Sequence, residues 1–143
     1  MTYIKRKMTL EIKEVPVNKV LDIRHKVLWP DKSPEFVKVP EDEQGRHFGL
    51  FQDDQIVSVI SLFVTGDTIR FRKFATIEAY QNRGLGSKLL QFVIDDSRNL
   101  GYNTIWCDAR ADAMGFYEKF GFKKFSDPFR KEEIEYFKIE KAL

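Results

Sequence analysis

The distribution of apolar and polar positions along the chain predicts an alternation of strands and helices. Residues 7–13 alternate weakly, as in a strand, and apolar residues then recur at helical spacing from Val17 to Leu28, until Pro30 ends the run. The stretch from Pro30 to Gln44 carries three of the five prolines and little periodicity. We therefore expect a long loop there with at most one helical turn, and long loops in compact proteins are often functional.

The middle of the chain predicts an antiparallel meander of three strands. Residues 47–51, 56–64 and 68–76 are rich in β-branched and aromatic side chains. Short polar connections separate them, Asp53-Asp54-Gln55 and Gly66-Asp67, which are typical of hairpin turns.

Two amphipathic helices and three strands are predicted after the meander. The apolar face of the first helix comprises Leu85, Leu89, Phe92 and Val93, with Gly101 placed to end it. A buried strand at 103–108 leads to a second helix marked by Ala113, Phe116, Tyr117 and Phe120, with Gly121 and Phe122 forming its C-terminal cap. Strands near 122–126 and 135–139 complete the order β-α-βββ-α-β-α-ββ. This order predicts an α/β fold with a mixed sheet and helices on both faces.

Composition narrows the class of protein. A length of 143 residues predicts one domain spanning 1–143, and a net charge of +2 gives no support for nucleic acid as a partner. The basic N-terminal residues are followed by too few apolar ones for a signal peptide, and no apolar run has membrane-spanning length. The single Cys107 cannot form an internal disulfide, which favours a reducing compartment. We expect a cytoplasmic protein that does not enter a membrane.

The segment from Gln81 to Ser87 indicates an anion site. It places Gly84 and Gly86 where a strand turns into the first long helix, and first-turn N–H groups of a helix have no intrahelical acceptor. With the helix dipole and Arg83 they predict a phosphate or pyrophosphate cradle. A tight turn with close helix packing is an equally good interpretation of the glycines alone. A Rossmann site lacks its third glycine, and a Walker A motif is absent because no Gly-Lys-Ser or Gly-Lys-Thr occurs.

Two motifs together resemble the GNAT acetyltransferases. Gln81-Asn82-Arg83-Gly84-Leu85-Gly86 is similar to the family's Gln/Arg-x-x-Gly-x-Gly/Ala signature, between a long strand and a long helix. Residues 109–122 resemble the second signature, in which a helix bearing Ala-x-x-Phe/Leu-Tyr ends in Gly-Phe. The likeness covers 68–125 by motif and the whole chain by element order.

The resemblance implies an acetyl-CoA-dependent N-acetyltransferase with acetyl-CoA as co-substrate, no metal, and sometimes a homodimer. It implies that the signature loop, here Gln81, Asn82, Arg83, Gly84, Leu85, Gly86 and Ser87, holds the CoA pyrophosphate. It also implies that the preceding strand breaks at a bulge and pairs with pantetheine through Phe74, Ala75 and Thr76, and that Tyr117 is the general acid for the departing sulfur. Many family members have Asn where this chain has Arg110.

Several parts of the reaction stay open at this stage. The base that deprotonates the acceptor amine has three candidates, Glu78, Asp108 and His47. An excess of acids in the loop at 31–43 suggests attraction of a cationic amine, although a solvated loop is equally consistent. A small-molecule acceptor is favoured slightly over a protein. The alternative function is a domain that binds acetyl-CoA as a sensor or scaffold without turnover.

Overall fold

A computed structural model describes residues 9–143, which build one eight-stranded sheet. Its spatial order is β1-β2-β3-β4-β5-β8-β6, with β7 also paired to β8. The strands are β1 Leu10–Val15, β2 Arg46–Gln52, β3 Gln55–Thr65, β4 Thr68–Thr76, β5 Thr104–Arg110, β6 Lys123–Lys124, β7 Phe129–Lys131 and β8 Ile134–Ala142. All pairings are antiparallel except β4 with β5, so the mixed sheet and the meander are confirmed.

The strand boundaries differ from the prediction at both ends of the chain. The first strand runs over 10–15 instead of 7–13, and residues 7 and 8 of that prediction lie outside the described residues. The predicted strand at 122–126 is reduced to the two residues of β6, and β7 was missed. Strand β7 has only three residues, between Pro128 and a turn, and three residues are too few for an alternating pattern to be recognised.

Helices cover both faces of the sheet. Helix α1, Leu21–Ile23, continues into a π-helical turn at Arg24–Leu28, and Val20 and Ile23 pack on Val59 of β3. The neighbouring Ile60, which alternation directs to the opposite face, belongs to the larger core under α2, Leu85–Asn99. Helix α3, Met114–Glu118, is preceded by a 3₁₀ turn at Ala111–Ala113.

Periodicity predicted most of the buried face of α2 correctly. Leu85, Leu89 and Val93 are buried as expected, but Phe92 is exposed and lies beside Phe48 with ring centroids 5.9 Å apart. Leu90, Ile94 and Ser97 complete the buried face instead. The apolar face of a helix is wider than one row of residues. A residue at the edge of that face, such as Phe92, is therefore easily predicted as buried when it is exposed.

The cap after α3 was predicted correctly. Gly121 has φ +91°, its N–H donates to the Glu118 carbonyl at 3.0 Å, and the N–H of Phe122 donates to the Tyr117 carbonyl at 3.3 Å. These are the two hydrogen bonds of a Schellman motif. The cap turns the chain sharply and fixes Phe122 in the core against the Tyr117 ring.

Strands β4 and β5 pair over only three residues each and then separate. Their parallel register runs from Thr68 opposite Thr104 to Arg70 opposite Trp106, and no pairing between the two strands follows. In the same region the register of β4 with β3 shifts by one residue between the pairs Ser61–Arg72 and Val59–Ala75. Lys73 takes up the extra residue with φ +56°. The sheet therefore has an opening at its centre, beside a bulge.

A buried ion pair fastens the long loop to the sheet. Arg24 is fully buried, and its two terminal nitrogens donate to the Asp42 carboxylate at 2.8 and 2.9 Å. The same guanidinium donates to the Val37 carbonyl at 3.1 Å and to Ser61 Oγ at 2.9 Å. Sequence periodicity had placed Arg24 in a helical run and Asp42 among the loop acids, without relating them. The pair holds the loop at 34–44 against β3.

Candidate active site

The start of α2 opens onto a cavity of about 590 Å³. Gly84 is the N-cap, with φ +76°, and no side chain among residues 9–143 caps the helix, so the first-turn amides face the cavity without an acceptor from that part of the chain. Gln81 anchors the loop through a hydrogen bond from its amide nitrogen to the Thr76 carbonyl at 2.9 Å. Arg83 lies over the Tyr80 ring at 5.5 Å. The cavity is lined by most of the predicted donor-site residues: Phe74, Ala75, Thr76, Gln81, Asn82, Gly84, Leu85, Gly86 and Ser87.

The two glycines of the loop serve different purposes. A Cβ on Gly86 would lie 3.2 Å from Thr76 Oγ1 and 3.4 Å from Phe74 Cζ, so this glycine lets α2 approach β4 closely. A Cβ on Gly84 would meet nothing within 4 Å, and this glycine is required by its left-handed backbone. The close-packing interpretation is therefore confirmed at Gly86, and the anion site stays a prediction.

A second cavity, of about 250 Å³, occupies the opening between β4 and β5. It shares two residues with the first cavity, Phe74 and Tyr117, so the two cavities meet there. Five cationic side chains line it, together with one carboxylate, Asp108. The cations are Arg70, Arg72, Lys73, Arg110 and Lys131. We call this the cationic cavity.

Tyr117 stands at the junction of the two cavities. Its ring packs against Phe71, Phe116 and Phe122, with centroid distances of 5.9, 5.1 and 5.9 Å. Burial raises the pKa of its phenol above the ordinary value, so the hydroxyl stays protonated and able to donate. None of the hydrogen bonds within residues 9–143 engages that hydroxyl.

The family model described as an acetyltransferase (GNAT) domain matches residues 26–143. The chain belongs to the GNAT acetyltransferase family. It is accordingly an acetyltransferase that takes its acyl group from acetyl-CoA, as the two sequence motifs implied.

Relatives and solved structures agree with the GNAT assignment. The chain is 33% identical to the uncharacterized N-acetyltransferase YitI of Bacillus subtilis, over 84% of this chain and 87% of that protein. It is 28% identical to the ribosomal protein bS18-alanine N-acetyltransferase of Escherichia coli, over 81% and 79% of the two chains. An acetyltransferase from Bacillus subtilis solved in complex with CoA superimposes with a TM-score of 0.72 at 20% identity, covering 96% of this chain and 99% of the other.

Of the three base candidates in this GNAT chain, the structure brings one to the site. Asp108 lines the cationic cavity and contacts Arg70 at 2.8 Å and both Lys131 and Lys138 at 3.1 Å. Burial favours its neutral form, but the hydrogen bond from Lys138 and the charges of Arg70 and Lys131 outweigh burial and lower its pKa. A carboxylate held this firmly in the ionised form is a weak proton acceptor.

The other two base candidates lie elsewhere. Glu78 is exposed on the 3₁₀ turn Glu78–Tyr80 and lines neither cavity. His47 is buried in β2, where Nδ1 contacts Ser61 Oγ at 2.7 Å and Nε2 contacts the Asp42 carbonyl at 2.8 Å. Both ring nitrogens are thus occupied within the loop anchor. Strand alternation carries no information about partners on another element, so the sequence did not show these contacts of His47.

The acidic loop does not form a negatively charged entrance to the site. Asp42 is buried with Arg24, and Glu41 reaches Arg72 at 3.9 Å. The side chains nearest the opening are basic, because Arg70 and Arg72 alternate onto one face of β4, and Asp108 and Arg110 share a face of β5. None of the loop acids at 31–43 lines either of these two cavities, so the geometry does not support attraction of a cationic amine by this loop.

Sequence reasoning gave no role to three of the five cations of the cavity, Lys73, Arg110 and Lys131. Burial, with the charges of Arg72, Arg24 and Lys131, lowers the pKa of Lys73 to about 8. The bulge that directs Lys73 into the opening depends on the register of β3, which no pattern within β4 reveals. Arg110 lies over the Trp29 ring at 5.7 Å, and both residues line the cationic cavity.

Two further properties of the described residues concern metal binding and membrane insertion. Within residues 9–143, no group of three or more His, Cys, Asp or Glu side chains is arranged to hold a metal ion. The helices of that same part of the chain include none with the length and apolar character needed to cross a bilayer.

Proposed function

We propose that this GNAT acetyltransferase transfers the acetyl group directly from acetyl-CoA to a small-molecule amine, by attack of the amine on the thioester carbonyl. The observation that carries the proposal is the meeting of two cavities at Phe74 and Tyr117, in the opening between β4 and β5. One cavity has the amides of a helix start, which suit a diphosphate. The other is a pocket lined by cationic side chains, which suits a separate acceptor.

The donor is held by main-chain groups in this proposal. The uncapped amides after Gly84 bind the pyrophosphate of CoA, and the exposed side of β4 at Phe74, Ala75 and Thr76 binds pantetheine. The GNAT structure solved with CoA supports this assignment by its fold. The thioester then lies beside the bulge.

The cationic cavity itself favours a neutral amine. A lysine-like amine with a pKa of about 10.4 is neutral in fewer than about one molecule in a thousand at pH 7. Lys73 lies in the same cavity, and its pKa is lowered to about 8 by burial and neighbouring positive charge. An acceptor amine under the same influence would be neutral in roughly one molecule in ten at pH 7. No dedicated base is then needed, and the released proton passes to water.

The remaining steps are assigned to the bulge and Tyr117. The amine nitrogen forms a bond to the carbonyl carbon, and a main-chain amide near Ala75 stabilises the negative charge that develops on oxygen. The carbon–sulfur bond then breaks, and the Tyr117 hydroxyl donates its hydrogen to the departing sulfur. Burial keeps this phenol protonated until the thiolate forms beside it. The proton lost by the amine nitrogen returns through water to the Tyr117 oxygen, which restores the acid.

The test is acetyl-CoA-dependent release of CoA thiol across a panel of amines, amino acids and peptides, with acetylated product identified by mass spectrometry. The proposal expects thiol release that requires a small amine and matches product formation in amount. Tight binding of acetyl-CoA with no thiol release for any acceptor would instead support the alternative, a sensor or scaffold. A homodimer and a cytoplasmic location stay predictions of the sequence.

A further inference from the structure

The cationic cavity carries an excess of positive charge that the described residues do not balance. Five cations line it against the single carboxylate of Asp108. That carboxylate is already shared, because Oδ2 accepts from Arg70 and Lys131 while Oδ1 accepts from Lys138. The one acid in the cavity is therefore not available to neutralise the remaining cations.

Arg72 and Arg110 are the two guanidinium groups of the cavity with least compensation, since Arg70 is paired with Asp108. The ion pair that Arg72 makes within residues 9–143 is with Glu41, at 3.9 Å, near the limit for such a contact. Burial and the charge of Arg70 lower the pKa of Arg72, the behaviour of a guanidinium surrounded by like charge. Arg110 rests on the Trp29 ring and makes no ion pair with the described residues. The buried Nε of Arg70 has no hydrogen-bond acceptor there either.

We propose that the acetyl acceptor is an amine carrying an anionic group, a carboxylate or a phosphate, which binds to Arg72 and Arg110 in the cationic cavity. This inference rests on the proposed function and adds the chemical class of its substrate. Guanidinium groups present paired donors that match the oxygens of either anion. An acceptor with no anionic group, or with a second cationic group, would leave the positive charge of the cavity unbalanced.

The size and lining of the cavity limit the acceptor further. A volume of about 250 Å³ holds about eight water molecules at ~30 Å³ each, which is the size of a small amino acid or an amino alcohol phosphate. Leu28, Trp29 and Tyr136 supply apolar surface between the cations and the junction at Tyr117. An acceptor anchored by its anion on the arginines can extend its amine toward that junction.

The experiment compares matched pairs that differ in the anion alone: ethanolamine with O-phosphoethanolamine, and butylamine with 4-aminobutanoate. Each is assayed for CoA thiol release and also titrated by calorimetry into the protein loaded with CoA. We expect kcat/KM and affinity to be about tenfold or more higher for the anionic member of at least one pair, and we expect this preference to shrink as salt is added. The phosphate and carboxylate pairs show separately which anion is preferred.

Variants locate the anion within the cavity. Arg72→Gln and Arg110→Gln should each lower kcat/KM for the anionic acceptor about tenfold, mainly through KM, and should lower it much less for the partner amine that lacks the anion. Lys13→Gln, which removes an exposed charge from β1, is the matched control and should change neither. A variant that lowers both members equally would assign the arginine to structure and overturn its role in recognition.

The outcomes separate this inference from the proposed function. If ethanolamine and butylamine are turned over as well as, or better than, their anionic partners, the inference is overturned. The proposed acetyltransferase activity would still stand. Anionic ligands that bind the CoA-loaded protein no tighter than neutral ones overturn it even if no acceptor reacts. Selective binding of anionic amines with no thiol release would uphold the cavity's ligand class and count against catalysis.

Discussion

Replacement of Lys73 by Met should stabilise the protein at neutral pH and do so less at alkaline pH. In the folded protein the pKa of Lys73 falls from 10.5 to about 8, because burial and the charges of Arg72, Arg24 and Lys131 disfavour the ammonium form. At about 1.36 kcal/mol per pKa unit the shift corresponds to about 3 kcal/mol, and partial exposure of the side chain reduces this to roughly 2 kcal/mol. This is the penalty that the wild-type chain carries while Lys73 is charged.

The sign of the pH dependence follows from the two pKa values. Below pH 8 both the folded and the unfolded chain hold the Lys73 proton, so the full penalty is present. Between pH 8 and 10.5 the unfolded chain holds more protons than the folded one, so the free energy of unfolding of the wild type rises with pH. Burial raises the pKa of Tyr117 and of Cys107, which acts in the opposite direction, but it does so in both proteins. The difference between wild type and variant therefore isolates Lys73.

Urea denaturation of both proteins at pH 7 and at pH 9.5 measures that difference. The advantage of Lys73→Met should be roughly 2 kcal/mol at pH 7, and more than half of it should be gone at pH 9.5. Lys88→Met, at an exposed position of α2, removes the same charge outside the cavity and serves as the control. An advantage that is the same at both pH values would refute the account of the cavity as a place that disfavours an ammonium group.

Three further substitutions test the donor site, the acid and the loop anchor. Gly84→Glu should raise the Kd for acetyl-CoA at least about tenfold, because a carboxylate enters the diphosphate cradle, and calorimetry measures it. Tyr117→Phe should lower kcat at least about tenfold with little change in KM, as steady-state thiol release would show. Asp42→Ala should lower the free energy of unfolding by about 3–5 kcal/mol in urea, because it leaves the fully buried Arg24 without its counter-ion.

Each of these substitutions has a control, which makes the same kind of change at a position outside the site or the loop anchor. Gly66→Glu, at φ +60° with nothing within 4 Å, reproduces the backbone strain of the Gly84 change, and equal loss of acetyl-CoA affinity in both would refute the cradle. Tyr102→Phe removes a hydroxyl from another partly buried tyrosine, and an unchanged kcat in Tyr117→Phe would assign thiolate protonation to water. Asp22→Ala breaks an exposed pair with Lys26 and should cost less than about 1 kcal/mol. A similar small cost for Asp42→Ala would contradict the anchor.

The sequence predicted the framework well because its signals are local. Alternation in β3, the period of α2 and the glycine after α3 each depend on residues within one element, and each was found in the structure. Phe92 and the two-residue β6 were misjudged where a pattern was narrow or short. That the predicted donor-site residues share one cavity was predictable for the same reason, since most of them come from one strand end and the loop that follows it.

The acceptor side was less predictable because it depends on contacts between distant segments. Nothing within β4 shows that Lys73 occupies a bulge, since the extra residue is defined against β3. Arg24 and Asp42 are 18 positions apart, and their pairing turns a presumed acidic entrance into an internal anchor. The alternation of Arg70 and Arg72 was a visible signal of a basic face. Its meaning became clear only when β5 placed Arg110 across the same opening.

The opening at the centre of the sheet also has a consequence for the kinetic order of the proposed reaction. In that proposal donor and acceptor reach the junction at Phe74 and Tyr117 through separate cavities, so neither must depart before the other enters. Cys107, the one thiol nearby, is buried with a raised pKa and is unsuited to carry an acyl group between two half-reactions. Double-reciprocal plots at several fixed concentrations of the second substrate should therefore intersect, as expected for a ternary complex, and the parallel lines of a ping-pong enzyme should not occur.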